Sequence, residues 1–148
     1  MTAFLQGGFL MNSNTETMKV LVIRPGEKPV VEEIEHTLKS MQDIVGGHIE
    51  DFSTRMDEVA YICCETGKQE GFTANRAYFN DEGKVIDIIA GTFFICGKSA
   101  TEYTSIPDNL IKKYTDKFEY PDRFYWAGKS KLYCQSLRPG AEPIYVCG

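Results

Sequence analysis

Residues 31–45, VEEIEHTLKSMQDIV, set Val31, Ile34, Leu38, Met41 and Val45 at spacings of three and four. That period puts all five on one side of an α-helix and leaves Glu32, Glu35, Lys39 and Asp43 on the wet side. Acidic residues in the first turn suit the positive end of the helix dipole, and Gly46-Gly47 offers the left-handed stop that many helices use. The spacing therefore predicts one long helix over 31–45.

Outward from this helix the pattern changes to strands. Lys19 to Ile23, KVLVI, is a short β-branched run that the RPGEKP turn stops, because its prolines and glycine cannot continue a ladder. Downstream, 48–52, 58–64, 72–79 and 85–96 are strand-like, and the connectors ETGKQEG and NDEGK have hairpin chemistry. Ser105-Ile-Pro-Asp108 reads as a capping box with proline in the first turn of a second, short helix over about 107–119, whose apolar face is Leu110, Ile111, Tyr114 and Phe118. The last segment, RFYWAGKSKLYCQSLRPGAEPIYVCG, holds two or three strand-like pieces and predicts a C-terminal β-hairpin. Together these elements give an α+β fold, with a mixed or antiparallel sheet packed against the long helix. Residues 1–17, apolar and then polar, are expected to be a flexible extension, or to precede a translation start near Met18. Residues 18–148 are expected to form a single domain.

The composition bounds the function. A chain of 148 residues with 43% apolar content can bury a core without a metal or a disulfide, which excludes a disordered tail protein. No apolar run approaches the ~20 residues of a membrane span. The formal charge of −5 argues against a non-specific nucleic-acid binder, which needs a basic surface to release counterions. That charge is unevenly spread: residues 1–111 carry nine basic and seventeen acidic residues, whereas Lys112 to Arg138 carry seven basic and three acidic. Tyr125, Trp126, Lys129 and Lys131 thus mark an aromatic-basic contact surface, and Glu32, Glu35 and Asp43 mark an acidic one.

Five cysteines, none at the two-residue spacing of a zinc half-site or redox dithiol, read as a reduced, cytoplasmic protein with no metal and no cofactor. Cys63 and Cys64 lie in an apolar strand, so a thiol enzyme would have to recruit His36 or His48, the only histidines. There is no GxGxxG or GxxxxGK[ST] phosphate loop. One constellation stands out. Asp87 interrupts an apolar strand, and Arg76 lies across a short turn from it, close enough for an ion pair across the hairpin. In a functional version Arg76 anchors a phosphate or carboxylate, with Asn75, Thr92 and Arg24 of the RPGEK loop beside it. A nucleotide is the ligand class this suggests.

Three phrases in order, KVLVIRPGEKPVVEEIEHTLKSMQDIVGGHIE, ANRAYFNDEGKVIDIIAGTFFICG and IPDNLIKKYTDKFEYP, carry a resemblance. Over residues 18–122 the chain resembles a domain-of-unknown-function family, number 3846, of small bacterial, phage and conjugative-element proteins. The resemblance implies no catalytic motif. It implies a setting, since small proteins of mobile elements often bind and block host defences such as CRISPR nucleases or restriction enzymes. The expectation is a non-enzymatic inhibitor acting on a host-defence protein or nucleoprotein complex in the bacterial cytoplasm. A nucleotide-binding or sponge protein is the alternative, and a homodimer is left open.

Overall fold

The computed structural model of the protein describes residues 16–54 and 56–147, so the extension expected over residues 1–17 lies, up to residue 15, outside the described residues. Thr17 already opens the first strand. The elements are β1 (Thr17–Ile23), β2 (Val30–Glu35), α1 (Leu38–Val45), β3 (Ile49–Asp51), β4 (Ala60–Cys64), β5 (Ala74–Phe79), β6 (Val85–Ala90), β7 (Phe93–Lys98), β8 (Tyr103–Thr104), α2 (Asp108–Lys117), β9 (Asp122–Ala127), β10 (Lys131–Ser136) and β11 (Ile144–Cys147). The architecture is mostly β with two short helices, within the α+β class. Among the described residues no helix is long and apolar enough to cross a membrane.

The main sheet runs β2-β1-β7-β4-β3, antiparallel throughout, with β8 added on β7. The four residues 20–23 are continuously apolar because both faces of this sheet are covered. On one face Met18, Val20 and Val22 join Ile62, Phe94 and Cys96 beneath Met41 and Val45 of α1. On the other, Leu21, Ile23, Tyr61, Phe93 and Ile95 pack against Tyr114 and Phe118 of α2 and against Ile89 of β6. Alternation along each strand thus feeds two cores.

The long helix expected over 31–45 is corrected. Only its second half is helical, and Val30–Glu35 is an edge strand paired with β1, Met18 opposite Ile34 and Val20 opposite Glu32. The reason is the buried position of β1. Its open row of N–H and C=O groups must be paired, and the chain returning from the RPGEKP turn, rich in β-branched residues, is the nearest partner. Val31 and Leu38, assigned to the buried helical face, are 42% and 56% exposed. Both helix ends follow local chemistry: Thr37 Oγ1 accepts the Ser40 N–H at 3.1 Å, and the left-handed Gly46 closes the C-terminus.

Three further expectations change. The ETGKQEG connector is no hairpin, since β4 pairs with β3 and β7 and the connector leads instead to the separate β5–β6 ribbon. The run 85–96 is two strands, folded at Gly91-Thr92. Ser105 is not a helix cap: Pro107 occupies that position with no side-chain cap, and Ser105 Oγ accepts the Lys19 N–H at 2.9 Å, pinning the loop to β1. The NDEGK turn behaves as expected, with Asn80 Oδ1 accepting the N–H groups of Glu82 and Lys84. The C-terminal hairpin is a three-stranded antiparallel sheet, β9-β10-β11. It packs on the β5–β6 ribbon through Phe124, Cys134 and Val146 against Ala77 and Val85.

Candidate functional site

Among the described residues Asn75 and Arg76 are the buried polar pair, 0% and 1% exposed. Asn75 Nδ2 donates to the carbonyls of Ile23 at 2.9 Å and Gly91 at 2.8 Å, while its Oδ1 accepts from Arg76 Nη1 at 2.8 Å. Arg76 Nη2 donates to the carbonyls of Glu27 at 2.6 Å and Phe118 at 2.8 Å, and Nε reaches Phe118 at 3.3 Å. The guanidinium therefore caps the C-terminal end of α2 and holds the RPGEK loop to it, a place where a cation suits the helix dipole. Burial lowers the pKa of Arg76, and the charge of Asp122 works in the opposite direction.

The Arg76–Asp87 ion pair expected from the sequence is corrected. Register puts Ile89 opposite Arg76 and Tyr78 opposite Asp87, and Asp87 pairs with Lys68 at the surface. Arg24 is likewise engaged elsewhere, with Glu32 at 2.7 Å, an interaction that raises its pKa. Thr92 follows Gly91 in the turn bonded by Asn75. The structure thus gathers Asn75, Arg76 and the Gly91-Thr92 turn, and leaves the Arg24 and Asp87 side chains in separate ion pairs.

The acidic residues do not form one patch. On a strand, Glu32 and Glu35 point to opposite faces, and Asp43 lies on α1 in an ion pair with Lys39 at 3.2 Å.

Thiol chemistry fares no better. Burial, reinforced by Glu50, pushes the Cys63 thiol up to about 12, and burial does the same to Cys96 and Cys134. His36 donates its Nε2–H to the Tyr103 carbonyl at 2.6 Å, and neither histidine is hydrogen-bonded to a cysteine among the described residues. Among those residues no group of three or more His, Cys, Asp or Glu is placed to hold a metal ion. With iodoacetamide at neutral pH the folded protein should take one label, on exposed Cys147, and all five only after unfolding. Intact mass would show this, and a second rapid adduct on Cys63 or Cys64 would restore the thiol reading.

The outer face of the C-terminal sheet is the most developed surface. Cross-strand register sets Tyr125 opposite Tyr133 and Tyr133 opposite Tyr145, giving a row of three tyrosines across three strands. The first pair is stacked with centroids 5.9 Å apart, and the second meets edge to face at 5.8 Å. The Arg123 guanidinium sits 4.8 Å from the Tyr125 ring and donates to Gln135 Oε1 at 2.9 Å. Alternation places Lys131 on this face and Trp126, 60% exposed, on the other, while Lys129 lies in the β9–β10 turn. Tyr125 and Lys131 share the surface expected of them, then, and Trp126 does not. Arg123 and Tyr145 are the residues that the sequence did not single out for it.

The family model described as "Domain of unknown function (DUF3846)" matches residues 18–119. The chain belongs to this family. No curated protein and no solved structure matches the chain. The DUF3846 match takes in the main sheet, both helices and the Asn75–Arg76 lock, and it stops before the three-stranded sheet that carries the tyrosine row. Within the family domain the most buried polar groups tie loops to strands. The tyrosine row and the Arg123 guanidinium beside it come from the segment that follows it.

Proposed function

We propose that this DUF3846 protein is a non-enzymatic accessory protein of a mobile element, and that it inhibits a host-defence protein or nucleoprotein complex by stoichiometric binding through the outer face of its C-terminal sheet. The observation that carries this reading is the Tyr125–Tyr133–Tyr145 row, flanked by Arg123 and Lys131. Tyrosine and arginine are the residues that concentrate binding energy at protein interfaces, since a rigid ring buries much area at little entropic cost. The cationic flank directs the face toward an acidic surface on its target. Glu32, Glu35 and Asp43 are not part of this contact.

The test is a plasmid-interference assay in bacteria carrying a CRISPR nuclease or a restriction enzyme. The wild-type protein should restore plasmid establishment. Tyr133→Ala, at the centre of the row, should weaken target binding about 30-fold, the equivalent of a ~2 kcal/mol hot spot, with little change in thermal stability because the ring is partly exposed. Protection undiminished in a Tyr125→Ala/Tyr133→Ala double variant would overturn the assignment of this face.

A further inference from the structure

A cavity of about 410 Å³ lies where the family domain meets the C-terminal sheet, walled by β5, the end of α2, β9, β10 and the loop before β11. Its volume falls in the range of small-molecule sites. It is distinct from the tyrosine face, because the Cys134 and Ile144 that line it alternate with Tyr133 and Tyr145 on the opposite side of the sheet.

Three cations line this cavity. Arg76 forms part of the inner wall, and Lys117 and Arg138 are exposed. Neither Lys117 nor Arg138 is in an ion pair among the described residues; both rest against rings instead. Lys117 Nζ is 5.6 Å from the Phe118 ring, and the Arg138 guanidinium is 5.9 Å from the Tyr120 ring. Six other surface cations, Lys19, Arg24, Lys39, Lys68, Lys112 and Lys113, are each paired with a carboxylate. Asp122 does not fill that role, because its Oδ2 accepts the Ala77 N–H at 2.8 Å and its charge is set against Arg76. Glu142, on the remaining wall, offers an acceptor for hydroxyl or amino groups. Unpaired cations next to a half-buried tyrosine ring suit a ligand that combines an anion with a flat ring.

We propose that this cavity binds a nucleoside monophosphate, with Lys117 and Arg138 holding the phosphate and the base lying against Tyr120. The proposal is independent of the inhibitor reading, since it uses the other side of the C-terminal sheet. It also differs from the site expected at Asn75, Thr92 and Arg24: Arg76 enters as a fixed wall, with four of its five N–H groups already donated within the protein.

The test is a titration of isotope-labelled protein with AMP, GMP, CMP and UMP, followed by amide chemical shifts. At least one nucleotide should bind at roughly millimolar concentration or below and move the resonances of Tyr120, Arg138 and their neighbours. Lys117→Ala/Arg138→Ala should weaken that binding about tenfold or more. Both side chains are exposed, so an otherwise unchanged spectrum certifies the fold of the variant. Absence of shifts around the cavity with all four nucleotides would overturn the proposal. Equal binding by the double variant would also do so, as would equal shifts from inorganic phosphate alone.

Discussion

Arg76→Leu is expected to lower the unfolding free energy by about 3–5 kcal/mol, which for a chain of this length lowers the melting temperature by roughly 10 °C. The guanidinium is 1% exposed and joins three segments that are distant in sequence: the loop after β1 through Glu27, the β5–β6 ribbon through Asn75, and the end of α2 through Phe118. Leucine fills part of the volume and leaves the Glu27 and Phe118 carbonyls and Asn75 Oδ1 without their donor. Each orphaned buried acceptor costs about 1–3 kcal/mol, and relief from burying a cation offsets part of the total. Arg76→Lys should recover only a fraction, because a single ammonium cannot span oxygens that the planar fork reaches from separate nitrogens. Urea denaturation measures both variants. A double-mutant cycle with Asn75→Ala should show coupling, since the two side chains share a hydrogen bond and Asn75 also holds Ile23 and Gly91. A loss below about 1 kcal/mol in Arg76→Leu would mean that the lock is not made in solution.

The sequence disclosed much of this framework and little of the lock, and the difference is physical. KVLVI was legible as a strand because it is a short β-branched run that the prolines and glycine of the RPGEKP turn stop. Gly46 also acts locally, and with Gly47 it marks the end of α1 in the sequence. Val31 and Ile34 misled because spacings of three and four are compatible with a helix, while the deciding term, the unpaired edge of β1, lies ten and more residues away. The Arg76–Asp87 pairing failed for a related reason. The β5–β6 ladder shifts register between Tyr78 and Phe79, on the turn side of Arg76, so that Ile89 stands opposite Arg76, and the oxygens that Arg76 does bond are mostly backbone carbonyls, which leave no mark in a sequence. Tyr125 and Lys131 were visible as surface residues by type. Part of their company was not, because a face shared with Arg123 and Tyr145 follows only from the register of three strands.

Gly97→Ala is the second large effect, and its cause is separable from backbone strain. A Cβ at Gly97 would overlap the Ser105 carbonyl oxygen and stand 2.5 Å from Thr104 Oγ1. The first of these is backbone, so no rotamer change can clear it. Ser105 cannot retreat cheaply either. Its Oγ holds the Lys19 N–H, and the next residue donates the Ile106 N–H to the Lys19 carbonyl at 2.8 Å, so displacing the loop loosens it from β1 as well as from β7. Overpacking of this kind costs about 1–3 kcal/mol, and a lost buried hydrogen bond adds about 1 more. The control is Gly83→Ala in the β5–β6 turn, where φ is +79° but nothing lies within 4 Å of the added carbon. That variant bears only the left-handed penalty, about 1 kcal/mol. Gly97 has no such φ, so its cost reports the close approach of β7 and the loop alone. Denaturant midpoints should therefore rank Gly97→Ala well below Gly83→Ala. The reverse order would mean that β7 and the Ser105 loop lie farther apart than the contact with Gly97 requires.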